Sequence, residues 1–281
     1  ETITGSAIDD LVTIAGADAA MSIDLGAGTD RLILGDFDGT ATVSNVETIT
    51  GGASADTVIL ATLATGTTID LAGGDDSLTL GNFVNTVTVS NVETITGGNA
   101  ADTVTLATQA TAVSIDLAGG ADLLQLGAFA NTLTISGVET VMGAGLADTV
   151  TLGSQATGTT VDLGAGADTL VLGAFVNTVT VTNVETVTGG STNDTVVFTG
   201  AVTGGTFDLG AGADTLVFDA LGATVTVTGV ETITASAADD RVTLGDQATG
   251  ATIDLGQGND TLVLGAFVNT VTVSNVETIT G

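Results

Sequence analysis

The chain has 281 residues and a formal net charge of -31, from 33 acidic residues against two arginines (Arg31 and Arg241) and no lysine. Nucleic acid and anionic membrane surfaces would repel such a chain, and no stretch approaches the roughly 18 apolar residues of a membrane span. At 43% hydrophobic it is too apolar for a disordered acidic tail, and with no cysteine and no histidine it has neither a disulfide framework nor a thiolate–imidazole zinc site.

The chain opens on Glu1-Thr2-Ile3-Thr4-Gly5 and closes on Glu277-Thr278-Ile279-Thr280-Gly281, the same phase of one repeat. Between them a unit recurs at a fixed spacing of 46 residues, with its first aspartate at 24, 70, 116, 162, 208 and 254. A fixed period of this length is the mark of a repeat architecture. The repeats run 1–46, 47–92, 93–138, 139–184, 185–230 and 231–276, followed by the start of a seventh, and are read as one continuous domain over 1–281.

Each repeat divides again. Every 23rd residue from Asp24 is acidic, with Asp and Glu alternating through Glu47, Asp70 and Glu93 to Glu277. A threonine register at 42, 65, 88 and onward to 272 keeps the same step. The spacing predicts a 23-residue coil. Within it, short runs such as Thr86-Val87-Thr88-Val89-Ser90 and Asp76-Ser77-Leu78-Thr79-Leu80 alternate apolar and polar residues, the pattern of half-buried strands. Three strands per coil are expected. Glycine pairs such as Gly51-Gly52 and the asparagines 45, 91, 183 and 275 mark corners, and the asparagines read as corner residues rather than ligands.

A coil of strands must pair with the coils above and below it. The expected fold is therefore all-β, a parallel β-solenoid of about twelve coils and about 58 Å long. Phe37, Phe83, Phe129, Phe175 and Phe267 recur in every second coil and Gly66, Gly158, Gly204 and Gly250 in the others, so each ring is expected to use space its glycine neighbour leaves open.

A second acidic register follows the turn, at Asp10, Asp30, Asp56, Asp76, Asp102, Asp122, Asp148, Asp168, Asp194, Asp214, Asp240 and Asp260. Stacking like charges one coil apart costs roughly 3.5 kcal/mol per neighbouring pair at an effective dielectric near 20. A bound cation would reverse that sign. Carboxylate and turn-carbonyl oxygens suit a hard cation, and flexible spacing suits calcium better than octahedral magnesium. The alternative is that the second aspartate only caps the turn by accepting a backbone N–H.

The run Gly-x-Gly-x-Asp-x-Leu-x-Leu of Gly164 to Leu172 resembles the glycine- and aspartate-rich nonapeptide of RTX (repeats-in-toxin) proteins. The resemblance covers the compact turn of all six repeats, about a fifth of the chain. It implies a β-roll with calcium between successive coils, at Asp24/Asp30, Asp70/Asp76, Asp116/Asp122, Asp162/Asp168, Asp208/Asp214 and Asp254/Asp260. It also implies a secreted bacterial protein. The chain departs from the family in its 23-residue spacing with one such turn, and in longer alternate turns that lack Gly-x-Gly, which leaves Glu47/Asp56 and its equivalents outside the match. The wider pattern resembles β-strand-repeat proteins of bacterial surfaces, including adhesins and S-layer proteins.

The functional expectation is a calcium-stabilised structural segment of a secreted or surface-attached fibre, adhesin or S-layer-like protein. Head-to-tail self-association into filaments, or continuation in a longer chain, would satisfy ends that share one register. The alternative is a binding module on the same scaffold, either a threonine-rich ice-binding face or an adhesion surface. An enzyme is not expected, because identical carboxylates in every repeat leave no place where the symmetry is broken, and no His, Lys or Tyr is present for proton transfer.

Overall fold

In the computed structural model, which describes residues 1–16, 20–36, 38–219 and 221–281, the chain is built of short parallel strands and no helix. It divides into two compact units, Glu1–Met142 and Gly143–Gly281. Each unit is a parallel β-solenoid of the expected class, compatible with a β-roll repeat protein. Within each unit successive strands alternate between two sheets, so an interior strand pairs with the strands two before and two after it. Position Phe37 of the phenylalanine series lies outside the described residues.

The coils differ from the 23-residue spacing. Each carries two strands, and residues stacked in neighbouring coils are 17, 20 or 21 positions apart. One 46-residue repeat holds five strands, for example Thr65–Asp70, Ser77–Thr79, Thr86–Ser90, Thr94–Thr96 and Thr103–Leu106. Five is odd, so the corresponding strand of the next repeat, Thr111–Asp116, falls in the opposite sheet. The second unit does the same with Thr157–Gly164, Val202–Gly210 and Thr249–Asp254. Repeats are thus related by two and a half coils, and the 23-residue register joins positions at different corners.

Alternation explains the core. In the first unit Ala41, Val58, Leu78, Ile95, Ile115 and Ile135 stack in successive coils of one sheet, all buried. Their neighbours along each strand face outward, because side chains of a strand alternate between its faces. In the second unit the core changes size: Phe198, Phe207 and Phe218 cluster with ring centroids 4.3 to 6.3 Å apart. Gly205 accommodates them, since a Cβ there would lie 2.5 Å from the Phe207 ring. Its counterparts are Thr67 and Thr159, both buried.

The other glycines sort into two uses. Gly66 has φ 69°, with open space where a side chain would be, and the register shifts beside it, a β-bulge at the start of the long strand. No ring fills that space. The exposed phenylalanines instead fold over a glycine of their own turn: a Cβ on Gly81 would lie 2.9 Å from Phe83, and one on Gly127 2.8 Å from Phe129. A ring two residues from its glycine reaches it at no cost in chain length, which is why the neighbouring coil is not used.

Candidate functional site

The two acidic registers land in different surroundings. The first aspartate of each compact turn is the last residue of a long strand or lies two residues before its end, and is exposed or half-buried. In Asp70, Oδ1 accepts the Ala72 N–H at 3.1 Å and the Asn91 side-chain amide at 2.7 Å, one coil on. Asp24 is held likewise by Gly26 and Asn45, Asp162 by Gly164 and Asn183, and Asp254 by Gly256 and Asn275. These four asparagines have φ of 51–52°, the left-handed region, so they are the corner residues expected and also donors. At Asp116 and Asp208 the turn bond to Ala118 and Gly210 remains, while Gly137 and Gly229 take the left-handed corner. The Asn275 amide beside Asp254 holds its carboxyl below the usual carboxylate range.

The second aspartate starts the next strand and is buried, with Asp168, Asp214 and Asp260 at 0% exposure. Here successive coils form side-chain ladders. In the first unit the Asn85 N–H and side-chain amide both donate to Asp102 Oδ1, the Asp102 N–H to Asp122 Oδ1 at 2.6 Å, and the Asp122 N–H to Glu139 Oε2 at 2.9 Å. Asp10–Asp30–Glu47 and Asp56–Asp76–Glu93 repeat the last three rungs. In the second unit the ladders are Asp148–Asp168–Glu185, Asn177–Asp194–Asp214–Glu231 and Asp240–Asp260–Glu277. Each carboxylate supplies the acceptor that a corner N–H would otherwise lack, the same service an N-cap gives a helix.

Glycine makes the ladder possible. A Cβ on Gly120 or Gly166 would lie 2.8 Å from the Oδ1 of the aspartate two residues on. Room for the carboxylate, as well as backbone freedom, accounts for the second glycine of Gly-x-Gly-x-Asp.

At least one buried aspartate oxygen is left over in every repeat, and Asp56 Oδ1 and Asp194 Oδ2 add to the series. In Asp30, Asp76, Asp122, Asp168, Asp214 and Asp260, Oδ1 is bonded and Oδ2 is buried with no hydrogen-bond partner. Burial is the main cause that pushes the carboxyls of Asp76, Asp122, Asp168 and Asp214 up to about 6, against the lowering effect of the N–H each accepts. The charges of the next glutamate and the preceding aspartate add to the push. Asp56, Asp194, Asp240 and Asp260 are also raised, again chiefly by burial.

The structure therefore separates each expected pair by role. Asp24, Asp70, Asp116, Asp162, Asp208 and Asp254 cap their own turns, and their partners 30, 76, 122, 168, 214 and 260 sit in buried ladders. Among the described residues no three or more of His, Cys, Asp and Glu gather as they would around a metal ion. For calcium the orphaned buried Oδ2 atoms are suitable hard donors, whereas the turn aspartates already spend an oxygen on the Asn amide. The glutamates at 47, 93, 139, 185, 231 and 277 were grouped by sequence with the turn aspartates, yet they are the last rungs of the ladders. The signal for them was a constant step of 17 from the second aspartate.

No family model matches the chain, and no curated protein resembles it in sequence.

Proposed function

We propose that the chain is a structural segment of a secreted or surface-attached bacterial protein of the fibre, adhesin or S-layer kind, a rigid β-solenoid stabilised by calcium along its carboxylate ladders. The observation that carries this reading is the buried, unpartnered aspartate oxygen that recurs at one position of every repeat in a chain with only two arginines to balance it. A buried charged oxygen without a partner is costly, and repetition multiplies the cost. The same repetition argues against catalysis, since no rung differs from the others in a way a substrate could select.

Two measurements test it. Far-UV circular dichroism melts in millimolar calcium and in excess chelator should differ by tens of degrees, and antibody labelling of intact producing cells should find the protein outside. A calcium-insensitive melt removes the stabilisation, and strictly cytoplasmic labelling removes the surface role.

A second reading is a binding face. Thr178, Thr195, Thr215, Thr232, Thr252 and Thr272 stack in successive coils of one sheet, a straight row of hydroxyl and methyl groups. Such a row supports ice binding, and inhibition of ice recrystallisation by the purified chain is its test.

A further inference from the structure

Resting on the calcium reading above, we propose that the ion is held between coils, by the buried second aspartate and the glutamate of the coil that follows, and not by the two aspartates of one compact turn. The pairs are Asp30/Glu47, Asp76/Glu93, Asp122/Glu139, Asp168/Glu185, Asp214/Glu231 and Asp260/Glu277.

The aspartate side of the pair is fixed. Asp122 is 1% exposed, its Oδ1 accepts the Asp102 N–H, and its Oδ2 is buried without a partner. The glutamate side is fixed by the ladder, because Glu139 Oε2 accepts the Asp122 N–H at 2.9 Å. That bond brings the two carboxyl groups within hydrogen-bonding reach of each other at Asp122/Glu139 and at Asp260/Glu277. Two ionised carboxylates in that position repel, and a cation between them turns the repulsion into attraction.

The turn pair lacks these features. Asp70 is half-buried, and its Oδ1 is shared by the Ala72 N–H and the Asn91 amide. An amide donor already provides the partial positive charge that its carboxylate needs. Asp76, six residues on, spends its bonded oxygen in the other direction, on the Asp56 N–H.

The donor set is hard oxygen throughout, one aspartate and one glutamate, with the glutamate half-buried, or exposed at Glu277, and open to water. Calcium accepts irregular coordination completed by water and main-chain oxygens. Two carboxylates per ion make weak sites, in the range of about 10⁻⁴–10⁻³ M found for extracellular modules.

The test uses the whole chain, stripped with chelator and titrated with calcium chloride. Bound ions are counted by equilibrium dialysis, and melting is followed by circular dichroism. One variant carries Glu93→Gln, Glu139→Gln and Glu185→Gln; glutamine keeps an acceptor for the aspartate N–H, so the ladder and the fold persist. The other carries Asp70→Asn, Asp116→Asn and Asp162→Asn. We expect the glutamine variant to lose about half of the bound calcium and about half of the calcium-induced rise in melting temperature, while the asparagine variant keeps both. Loss in the asparagine variant alone, or equal loss in the two, overturns the inter-coil site and leaves the calcium reading standing. A wild-type chain that neither binds calcium nor melts higher in it overturns both.

Discussion

The two ends of the compact turn carry the same residue and use it in opposite ways. Asp162 and Asp168 are separated by Leu-Gly-Ala-Gly-Ala, and spacing alone makes them look like one site. Asp162 faces outward and is clamped by the Asn183 amide. Asp168 faces the chain's own backbone, buried, and replaces a missing main-chain acceptor for Asp148. At Asp254 of the outer row the Asn275 amide favours the charged form, whereas at Asp168 of the inner row burial disfavours it. The repeated acids are therefore two structural devices, shifted with opposite signs at Asp254 and Asp168, and only the inner one is left wanting a positive charge.

The largest expected effect follows from those signs. Asp76, Asp122, Asp168 and Asp214 hold protons more tightly folded, at about 6, than their ordinary value of 3.8. Between those values the folded state binds more protons than the unfolded one, so stability falls as pH rises through about 6. Each group is worth on the order of 3 kcal/mol between pH 4 and pH 8. In chelator at low ionic strength the melting temperature should rise steadily from pH 8 to pH 5. Replacing all four by asparagine should flatten the curve. A wild-type chain that loses stability over that interval would break the contrast between the rows. Asp254 acts in the other direction and lower down: with its depressed pKa it gives up stability only as pH falls below 3.8.

A single substitution in each row sharpens the comparison. Asp168→Asn keeps the Oδ1 acceptor for Asp148 and places an amide donor where Oδ2 has no partner, facing a glutamate. In chelator at pH 8 it should stabilise the chain by about 1.5–3 kcal/mol, the net worth of a hydrogen bond to a charged group. In calcium the same change should destabilise. Asp162→Ala removes the turn acceptor and the Asn183 clamp, and should cost about 1 kcal/mol whether or not calcium is present. Denaturant melts of both variants in both buffers give the four numbers needed; an Asp168→Asn effect of the same sign in both buffers would contradict the assignment of the inner row.

How far the sequence reached can be seen residue by residue. The all-β class and the parallel stacking were legible, because Val87 and Val89 alternate with threonines and no run has a helical period. The coil length was not. Val46-Glu47-Thr48-Ile49 and Ile23-Asp24-Leu25 look like the same element 23 residues apart, but Asp24 lies inside a strand and Glu47 precedes one. Periodicity reports which residues are alike, whereas coil length depends on which residues are stacked, and five strands per repeat on two sheets make the two differ. The second acidic register carried the information in its uneven steps. Asp10 to Asp30 is one coil, while Asp30 and Asp56 start strands in opposite sheets. The acids show the same ambiguity: Asp30, Asp76 and their equivalents stand out as a register of their own, whereas Glu93 and its equivalents share the 23-residue step of the turn aspartates and yet close the ladders of the other register.

The smallest effect separates the two jobs of the corner asparagine. Asn91 sits at φ 51° and donates to Asp70 at 2.7 Å. Glycine holds the same corner at Gly137 and Gly229, with φ of 56° and 59°, where the turn aspartates Asp116 and Asp208 keep their turn bonds. Asn91→Gly therefore keeps the left-handed backbone and loses only a solvent-exposed donor, and should change stability by about 0.5 kcal/mol or less. Asn91→Ala loses the donor and also the local hydrogen bonding that lets asparagine tolerate the left-handed region, at about 1–2 kcal/mol. Chemical denaturation of the two variants should give the alanine form the larger loss. Equal losses would mean that the amide clamp, and not the backbone angle, is what the corner requires, and the outer row would then need its donor as much as the inner row needs a cation.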